Sequence, residues 1–164
     1  MNVSLQTASR FIQGDEDAAS EVYRAYRKLL YFIIANYVLT KEDADDVYQE
    51  TFVRVLSERA GISSPSALHS YLCLSARNCA IDFAKKKDEN LDPEIEESLS
   101  EDEPTPLESL LPLNLSREEK AVVGYRIGFD LNWKEISTLT STPISTAKLR
   151  YVEAKKKIKE VYSK

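Results

Sequence analysis

The sequence is poor in residues that interrupt helices and has no segment suited to a membrane. Only four glycines and six prolines occur among 164 residues, which argues against a turn-rich all-β fold. No apolar run approaches the roughly 20 residues needed to cross a bilayer, and the first residues lack the anatomy of a signal peptide. These absences predict a cytoplasmic helical protein that does not insert into membranes.

Residues that build catalytic or metal centres are equally scarce. The two cysteines, Cys73 and Cys79, match no metal-binding spacing, fit a reduced cytoplasm and are expected to pack as core residues. His69 is the only histidine, and we assign it no role. Without a nucleophile-and-base pattern or a phosphate-binding loop, we predict no catalytic residue, no metal and no cofactor, and hence no enzyme.

The net charge of −5 is distributed unevenly along the chain. Residues 1–87 hold 11 basic and 11 acidic side chains, residues 88–115 hold ten acids and no base, and residues 116–164 hold 11 bases and six acids. A neutral first segment, an anionic middle and a cationic tail indicate separate partners for the two ends.

Hydrophobic spacing indicates three long helices in the first half of the chain, beginning near Asp15. The first covers residues 18–38, the second starts at the cap residue Thr40, and the third follows a loop at residues 61–65. The third helix ends in Lys85–Lys87, where cations suit the negative end of the helix dipole. The predicted buried residues are Val22, Tyr26, Leu29, Leu30, Ile33, Ile34, Tyr37, Val47, Phe52, Val55, Leu56, Leu68, Tyr71, Leu72, Leu74, Ala76, Ile81 and Phe83.

Residues 88–112 differ in composition from both flanks. They hold four prolines and ten acids with few large apolar groups, so they cannot bury enough surface to offset the entropy lost on ordering. We therefore predict a flexible acidic linker between a first domain at residues 1–87 and a second at residues 113–164.

Three shorter helices are predicted after the linker. Ser116 with Glu119 forms a capping box for the first helix, which Gly128 closes. Asn132 caps the second helix. Thr142 opens the third helix, which has proline at its first position and reaches about residue 162. This order is typical of a helix-turn-helix domain. The predicted buried residues are Val122, Val123, Ile127, Ile136, Leu139, Ile144, Ala147, Tyr151, Ala154 and Ile158.

The last helix is a candidate DNA reader because its outward residues are polar near the start and basic further on. The alternative is a solvated helix face that happens to be basic. The outward residues at the start are Ser145, Thr146, Lys148, Leu149 and Arg150, and the lysines placed to reach phosphates are Lys155, Lys156, Lys157 and Lys159.

Two further patterns lie in the first domain. The helix from Tyr71 to Lys87 interleaves aromatic, amide and basic groups, which suits single-stranded nucleic acid; the alternative is that its aromatic residues only pack in the core. Asp46 and Glu50 lie one helical turn apart beside Gln49. No metal or acid–base pattern accompanies them, so they are either solvated or part of a protein-docking face.

These motifs resemble the RNA polymerase sigma factors of the extracytoplasmic function group (ECF, group IV). Residues 44–52, ADDVYQETF, resemble the A-x-D-x-x-Q-E-x-F motif of sigma region 2, and residues 71–87 look like the element that follows it. The stretches 115–119, 133–137 and 146–150 are similar to sigma region 4. The resemblance covers nearly the whole chain and implies two helical domains that bind polymerase and promoter DNA.

The resemblance also implies a role for each matched position. The polymerase-binding residues, facing the clamp helices of the β′ subunit, would be Asp46, Gln49 and Glu50. The residues that meet the −10 element would be Tyr71, Arg77, Asn78, Asp82, Lys85, Lys86 and Lys87, with the loop 58–67 capturing a flipped base. The residues that meet the −35 element would be Ser145, Thr146, Lys148, Arg150 and Lys155. Further implied contacts are the polymerase β flap and an anti-sigma factor, and the linker would occupy the polymerase channel.

Several positions depart from the family pattern. Tyr71 replaces a tryptophan, Lys85–Lys87 replace arginines, and Ser137, Ser141 and Pro143 replace the alanine, glycine and serine usual around the turn. The rival interpretations are a stand-alone helix-turn-helix regulator and a sigma-like decoy that binds an anti-sigma factor without touching DNA.

Overall fold

The structure, a computed structural model, describes residues 3–89 and 114–163. Within these ranges the chain forms seven α-helices and no strand, which confirms the predicted all-α fold. The described residues fall into two compact units, residues 3–89 and residues 114–163. Apart from its first two residues, which belong to the last turn of a helix, the predicted linker lies outside the described residues.

The first unit contains four α-helices. They are α1 (Leu5–Ile12), α2 (Glu16–Ala35), α3 (Lys41–Glu58) and α4 (Leu68–Glu89), with short 3-10 turns at Arg59–Gly61 and Pro65–Ala67 between the last two. The first three helices begin at Ser4, Asp15 and Thr40, whose side-chain oxygens accept hydrogen bonds from backbone N–H groups three residues later. Such caps satisfy amides that the helix cannot pair, and each stabilises by about 1 kcal/mol.

Helix α2 supplies the centre of this unit and packs against α1, α3 and α4. Its buried stripe is the predicted one: Val22, Tyr26, Leu29, Leu30, Ile33 and Ile34 are each at most 2% exposed. Complete burial of such a side chain contributes about 1.5–3 kcal/mol. Cys73 and Cys79 are buried thiols, as expected of core residues.

Three features of the first unit differ from the sequence prediction. Helix α1 was not predicted, because it is short and buries only Ala8 and Phe11, too few residues for a recognisable period. Leu56 was expected to be buried but is 38% exposed, since it lies at the outer edge of the buried stripe of α3. The predicted core residues Tyr37, Tyr71, Leu74, Ile81 and Phe83 are only half-buried.

The second unit contains α5 (Arg117–Val123), α6 (Trp133–Thr140) and α7 (Ile144–Tyr162). The predicted capping box of Ser116 and Glu119 is present in both directions, and Asn132 caps α6 by accepting from the Glu135 amide. The core contains Val122, Val123, Tyr125, Leu131, Ile136, Leu139, Ala147 and Ala154. Only the two alanines of α7 are fully buried, so small side chains let its backbone approach α5 and α6 closely.

Two buried positions and one cap were predicted wrongly in this unit. After Val123 the helix widens into a π-turn over Gly124–Gly128, which inserts an extra residue into the helical repeat. Tyr125 therefore points inward at 1% exposure while Ile127 is 54% exposed. Ile144 is 41% exposed, because it starts α7 at the edge of the unit. Thr142 does not cap α7; the cap position is Pro143, with no capping side chain.

The turn between α6 and α7 is built without glycine. Ser141 adopts the left-handed conformation, with φ of 54°, that glycine occupies most easily. Two hydrogen bonds close the turn: the Ser137 hydroxyl donates to the carbonyl oxygen of Thr142 at 2.6 Å, and the Thr142 amide donates to the carbonyl oxygen of Ser137 at 3.2 Å. The serines that depart from the family pattern thus support a helix-turn-helix geometry.

Candidate functional site

Three predicted docking residues form one exposed surface on α3, here called the α3 face: Asp46, Gln49 and Glu50. The Glu50 carboxylate lies 3.3 Å from the Arg54 guanidinium one turn later, in an exposed pair. The Gln49 side-chain amide donates to the Tyr23 hydroxyl of α2 at 2.8 Å. The α3 face therefore presents two carboxylates and one side-chain amide, and a hydrogen bond to the Tyr23 hydroxyl of α2 holds that amide in place.

Aromatic rings support the α3 face from below. The Tyr23 ring lies 5.0 Å from the ring of Tyr48 and 4.9 Å from that of Phe52. The buried Tyr48 hydroxyl donates to the backbone carbonyl of Tyr23 at 2.6 Å, and burial raises the pKa of Tyr48 above its ordinary value. The Tyr31 hydroxyl donates to Asp45, and burial together with this hydrogen bond raises the pKa of Tyr31 to about 12. These phenols stay protonated at neutral pH and act as hydrogen-bond donors.

Four of the predicted single-strand contacts share a stripe on α4, here called the α4 stripe: Tyr71, Asn78, Asp82 and Lys85. Their spacing of seven, four and three residues places them on one side of the helix. The Tyr71 hydroxyl donates to Glu58 at 2.5 Å, and this hydrogen bond is the main reason that the pKa of Tyr71 rises to about 12. The Tyr71 ring is half-buried, and the other three side chains are exposed.

Other predicted DNA contacts on α4 lie off this stripe. Arg77 is half-buried and donates to the Asn78 side-chain oxygen at 3.4 Å. Lys87 lies on the opposite side of the helix, where its ammonium group is 2.5 Å from the Asp43 carboxylate of α3. Lys86 is exposed beside Lys85. The three consecutive lysines therefore have different surroundings: Lys85 and Lys86 are exposed, whereas the side chain of Lys87 joins α4 to α3.

The predicted base-capturing loop is anchored at its first two residues and in its middle. Glu58 accepts the hydrogen bond from Tyr71, and the Arg59 guanidinium donates to the carbonyl oxygen of Gly14 at 3.2 Å. Ile62 is 6% exposed and fixes the middle of the loop in the core, while Ser63 and Ser66 are exposed. The loop thus presents small polar side chains on a fixed backbone.

In the second unit, the predicted reader residues lie at the start of α7. Ser145, Lys148 and Leu149 are exposed, and Thr146 and Arg150 are half-buried. The Lys155 ammonium group lies 4.9 Å from the centre of the Tyr151 ring, which packs edge-on against Trp133 at 5.4 Å. The aromatic pair restricts where the Lys155 charge can lie, which would reduce the entropy cost of the predicted phosphate contact.

Not every lysine of α7 is available for phosphate. The Lys157 ammonium group lies 2.7 Å from the Glu119 carboxylate of α5, and Glu119 is 7% exposed. The same carboxylate oxygen accepts from the Ser116 amide at 3.1 Å. Lys157, predicted to contact phosphate, instead neutralises a buried acid. The sequence predicted the capping-box contact of Glu119 with Ser116, but no local sequence pattern indicated its second partner, Lys157.

The glutamine variant Glu119→Gln is expected to lower the free energy of unfolding of the second unit by about 1–2 kcal/mol at pH 7. Burial opposes the charge of Glu119, but hydrogen bonds from Lys157 and Ser116 outweigh it, so the pKa of Glu119 is lowered. An acid whose pKa is lower in the folded than in the unfolded state stabilises the fold at pH values above its unfolded-state pKa. This stabilisation is lost as the pH falls through the folded-state pKa. The difference between variant and native protein should therefore begin to narrow below the unfolded-state pKa of about 4.3, and it should close once the pH is below the lower folded-state pKa.

Urea denaturation followed by the fluorescence of Trp133, the only tryptophan, measures this unit separately. The matched control is Glu118→Gln, because Glu118 lies in the same first turn and is exposed. Equal effects of the two substitutions would contradict a specific role for the Glu119–Lys157 pair.

Neither a metal site nor a membrane helix is found in the described ranges. No three histidine, cysteine, aspartate or glutamate side chains in residues 3–89 and 114–163 come together as a metal ion would require. Of the helices in those ranges, none has the length and apolar content to span a bilayer.

Comparison with known proteins finds a family model that matches the segment containing the α3 face and the α4 stripe. Residues 22–90 match the family model described as Sigma-70 region 2. The fold is similar to that of CnrH, solved in complex with the cytosolic domain of CnrY: the TM-score is 0.62 over 97% of this chain and 96% of that one, at 15% identity. No curated protein sequence matches.

Proposed function

We propose that this chain is an ECF-type sigma factor that binds core RNA polymerase and directs initiation at specific promoters. The observation that carries the proposal is the match of residues 22–90 to Sigma-70 region 2, because this segment contains both the α3 face and the α4 stripe. The similarity of fold to CnrH extends over both units of the chain.

The α3 face is the proposed polymerase-docking surface. Its carboxylates, Asp46 and Glu50, are exposed and one turn apart, so a cationic helix surface such as that expected of the β′ clamp could contact both. Docking would pair these charges at the centre of the contact, where removal of either partner is costly.

The α4 stripe is the proposed contact for melted DNA of the −10 element. It combines an aromatic ring, an amide and a cation, the groups that stack on unpaired bases and neutralise their backbone. Lys85 and Lys86 would attract phosphates, and the anchored loop at residues 58–67 would receive a base that has left the stack. Trapping unpaired bases shifts the equilibrium from the closed to the open promoter.

The second unit is the proposed reader of duplex DNA at the −35 element. In a helix-turn-helix the second helix enters the major groove, and its first residues contact base edges. Ser145, Thr146 and Lys148 occupy those positions on α7, while Arg150 and Lys155 would bind phosphates. A chain that links two DNA-binding units raises the effective concentration of one at its site once the other is bound.

A regulatory partner is part of the proposal. CnrH was solved with the cytosolic domain of a second protein, CnrY. We infer that this chain likewise has an anti-sigma partner and acts in the cytoplasm.

Reconstituted transcription tests the proposed function. The purified chain is mixed with sigma-free core polymerase and a library of promoter fragments, and the transcripts are sequenced. Promoter-dependent transcripts with defined start sites are the expected result. If the chain binds duplex DNA without polymerase and yields no transcript, it is a stand-alone helix-turn-helix regulator; if it binds neither, the proposal is wrong.

A further inference from the structure

We infer that Tyr23 of α2 is a positioning residue for polymerase binding, because it holds Gln49 in the orientation that the docking surface uses. The inference rests on the proposed function. It extends the proposed docking surface from α3 to α2, a helix on which the sequence predicted no polymerase-binding residue.

The contact that carries this inference is the hydrogen bond between the Gln49 amide and the Tyr23 hydroxyl, 2.8 Å long and spanning 26 residues of sequence. Gln49 is an exposed side chain, and an exposed glutamine has several rotamers of similar energy. Fixing it before binding removes an entropy cost that the complex would otherwise carry. Because the amide nitrogen is bonded to Tyr23, the side-chain carbonyl oxygen of Gln49 is the group left to accept from a partner.

Tyr23 can hold Gln49 because Tyr23 is itself fixed. Its ring packs at 5.0 Å and 4.9 Å against Tyr48 and Phe52, which are 0% and 4% exposed. The Tyr48 hydroxyl also binds the Tyr23 backbone carbonyl at 2.6 Å. The half-buried Tyr23 ring is therefore held in place by packed aromatic neighbours.

Gln49 is the group that meets the partner. A polymerase helix lying against the α3 face would contact the Gln49 side-chain carbonyl oxygen as an acceptor in a fixed position, on the same helix face as the carboxylates of Asp46 and Glu50. This arrangement suits a partner surface that carries cations and a hydrogen-bond donor.

A double-mutant cycle tests the inference. The affinity of the full-length chain for core polymerase is measured for the native protein, Tyr23→Phe, Gln49→Ala and the double variant. Tyr23→Phe keeps the ring and its packing, so the midpoint of thermal unfolding of the first unit should stay unchanged. Loss of one hydrogen bond should weaken binding by about three- to tenfold, and the double variant should bind like Gln49→Ala alone.

The control is Tyr26→Phe, which removes a hydroxyl of the same chemistry from the interior, where it lies 3.1 Å from His69. It should lower stability without changing polymerase affinity. Tyr23→Phe binding as tightly as native protein, or an equal loss in the Gln49→Ala background, would overturn this inference alone. Failure of the native chain to bind polymerase would overturn the proposed function and this inference with it.

Discussion

Replacing Asp46 and Glu50 together by alanine is expected to weaken the binding of core polymerase by at least about 30-fold. Two charges at a docking contact account for about 2 kcal/mol or more, because each removal leaves a partner cation unpaired. Both side chains are exposed, and alanine is a good helix former, so α3 should remain intact. The loss of the exposed Glu50–Arg54 pair costs only about 0.3–0.5 kcal/mol of stability.

The measurement is a titration of fluorescently labelled chain with sigma-free polymerase at several salt concentrations. The control variant, Glu153→Ala with Glu160→Ala, changes the net charge equally in the second unit and removes a comparable exposed pair between Glu153 and Lys156. The double variant on α3 should also show a weaker salt dependence of binding than the native chain. An affinity within twofold of native would show that the α3 face does not dock polymerase.

Replacing Lys148 and Arg150 together by alanine is expected to lower transcription from a cognate promoter by about tenfold or more while polymerase affinity stays unchanged. Both residues lie in the first two turns of α7, where a helix in the major groove meets base edges and flanking phosphates. A lost base contact costs about 1–3 kcal/mol, and each lost phosphate contact reduces the slope of log affinity against log salt by about 0.9.

Promoter binding by the reconstituted holoenzyme over a salt series separates these two roles. A uniform loss across promoter sequences with a reduced slope would identify phosphate contacts, whereas a loss confined to one sequence position would identify base reading. The matched control is Arg24→Ala with Lys28→Ala, which also removes one arginine and one lysine, from exposed positions on α2. Unchanged transcription from the cognate promoter would contradict the assignment of α7 as reader.

Much of the fold could be predicted because its signals are local. The buried stripe of α2 repeats every three or four residues, and Thr40, Ser116 and Asn132 each pair with an amide three residues later. Such contacts lie within one helical turn, so the order of residues alone specifies them. The same locality explains the errors: the π-turn at Gly124–Gly128 breaks the period without a distinctive residue, and α1 is too short to show one.

The residues of the candidate site could be predicted from the sequence, but which of them lie together on one surface could not. The sequence indicated the acids of α3, the mixed polar and aromatic residues of α4 and the basic residues of α7. Whether these residues contact polymerase and DNA stays a prediction for the experiments above.

The sequence by itself determined the helices, most of their caps and which residues carry charge, since these properties depend on neighbours along the chain. Only the tertiary structure decided which charges are available to a partner. Lys87 pairs with Asp43, 44 residues away, Lys157 with Glu119, 38 away, and Gln49 with Tyr23, 26 away. Side chains this far apart meet only when packed helices bury their apolar stripes and bring other faces together, and no local pattern contains that geometry.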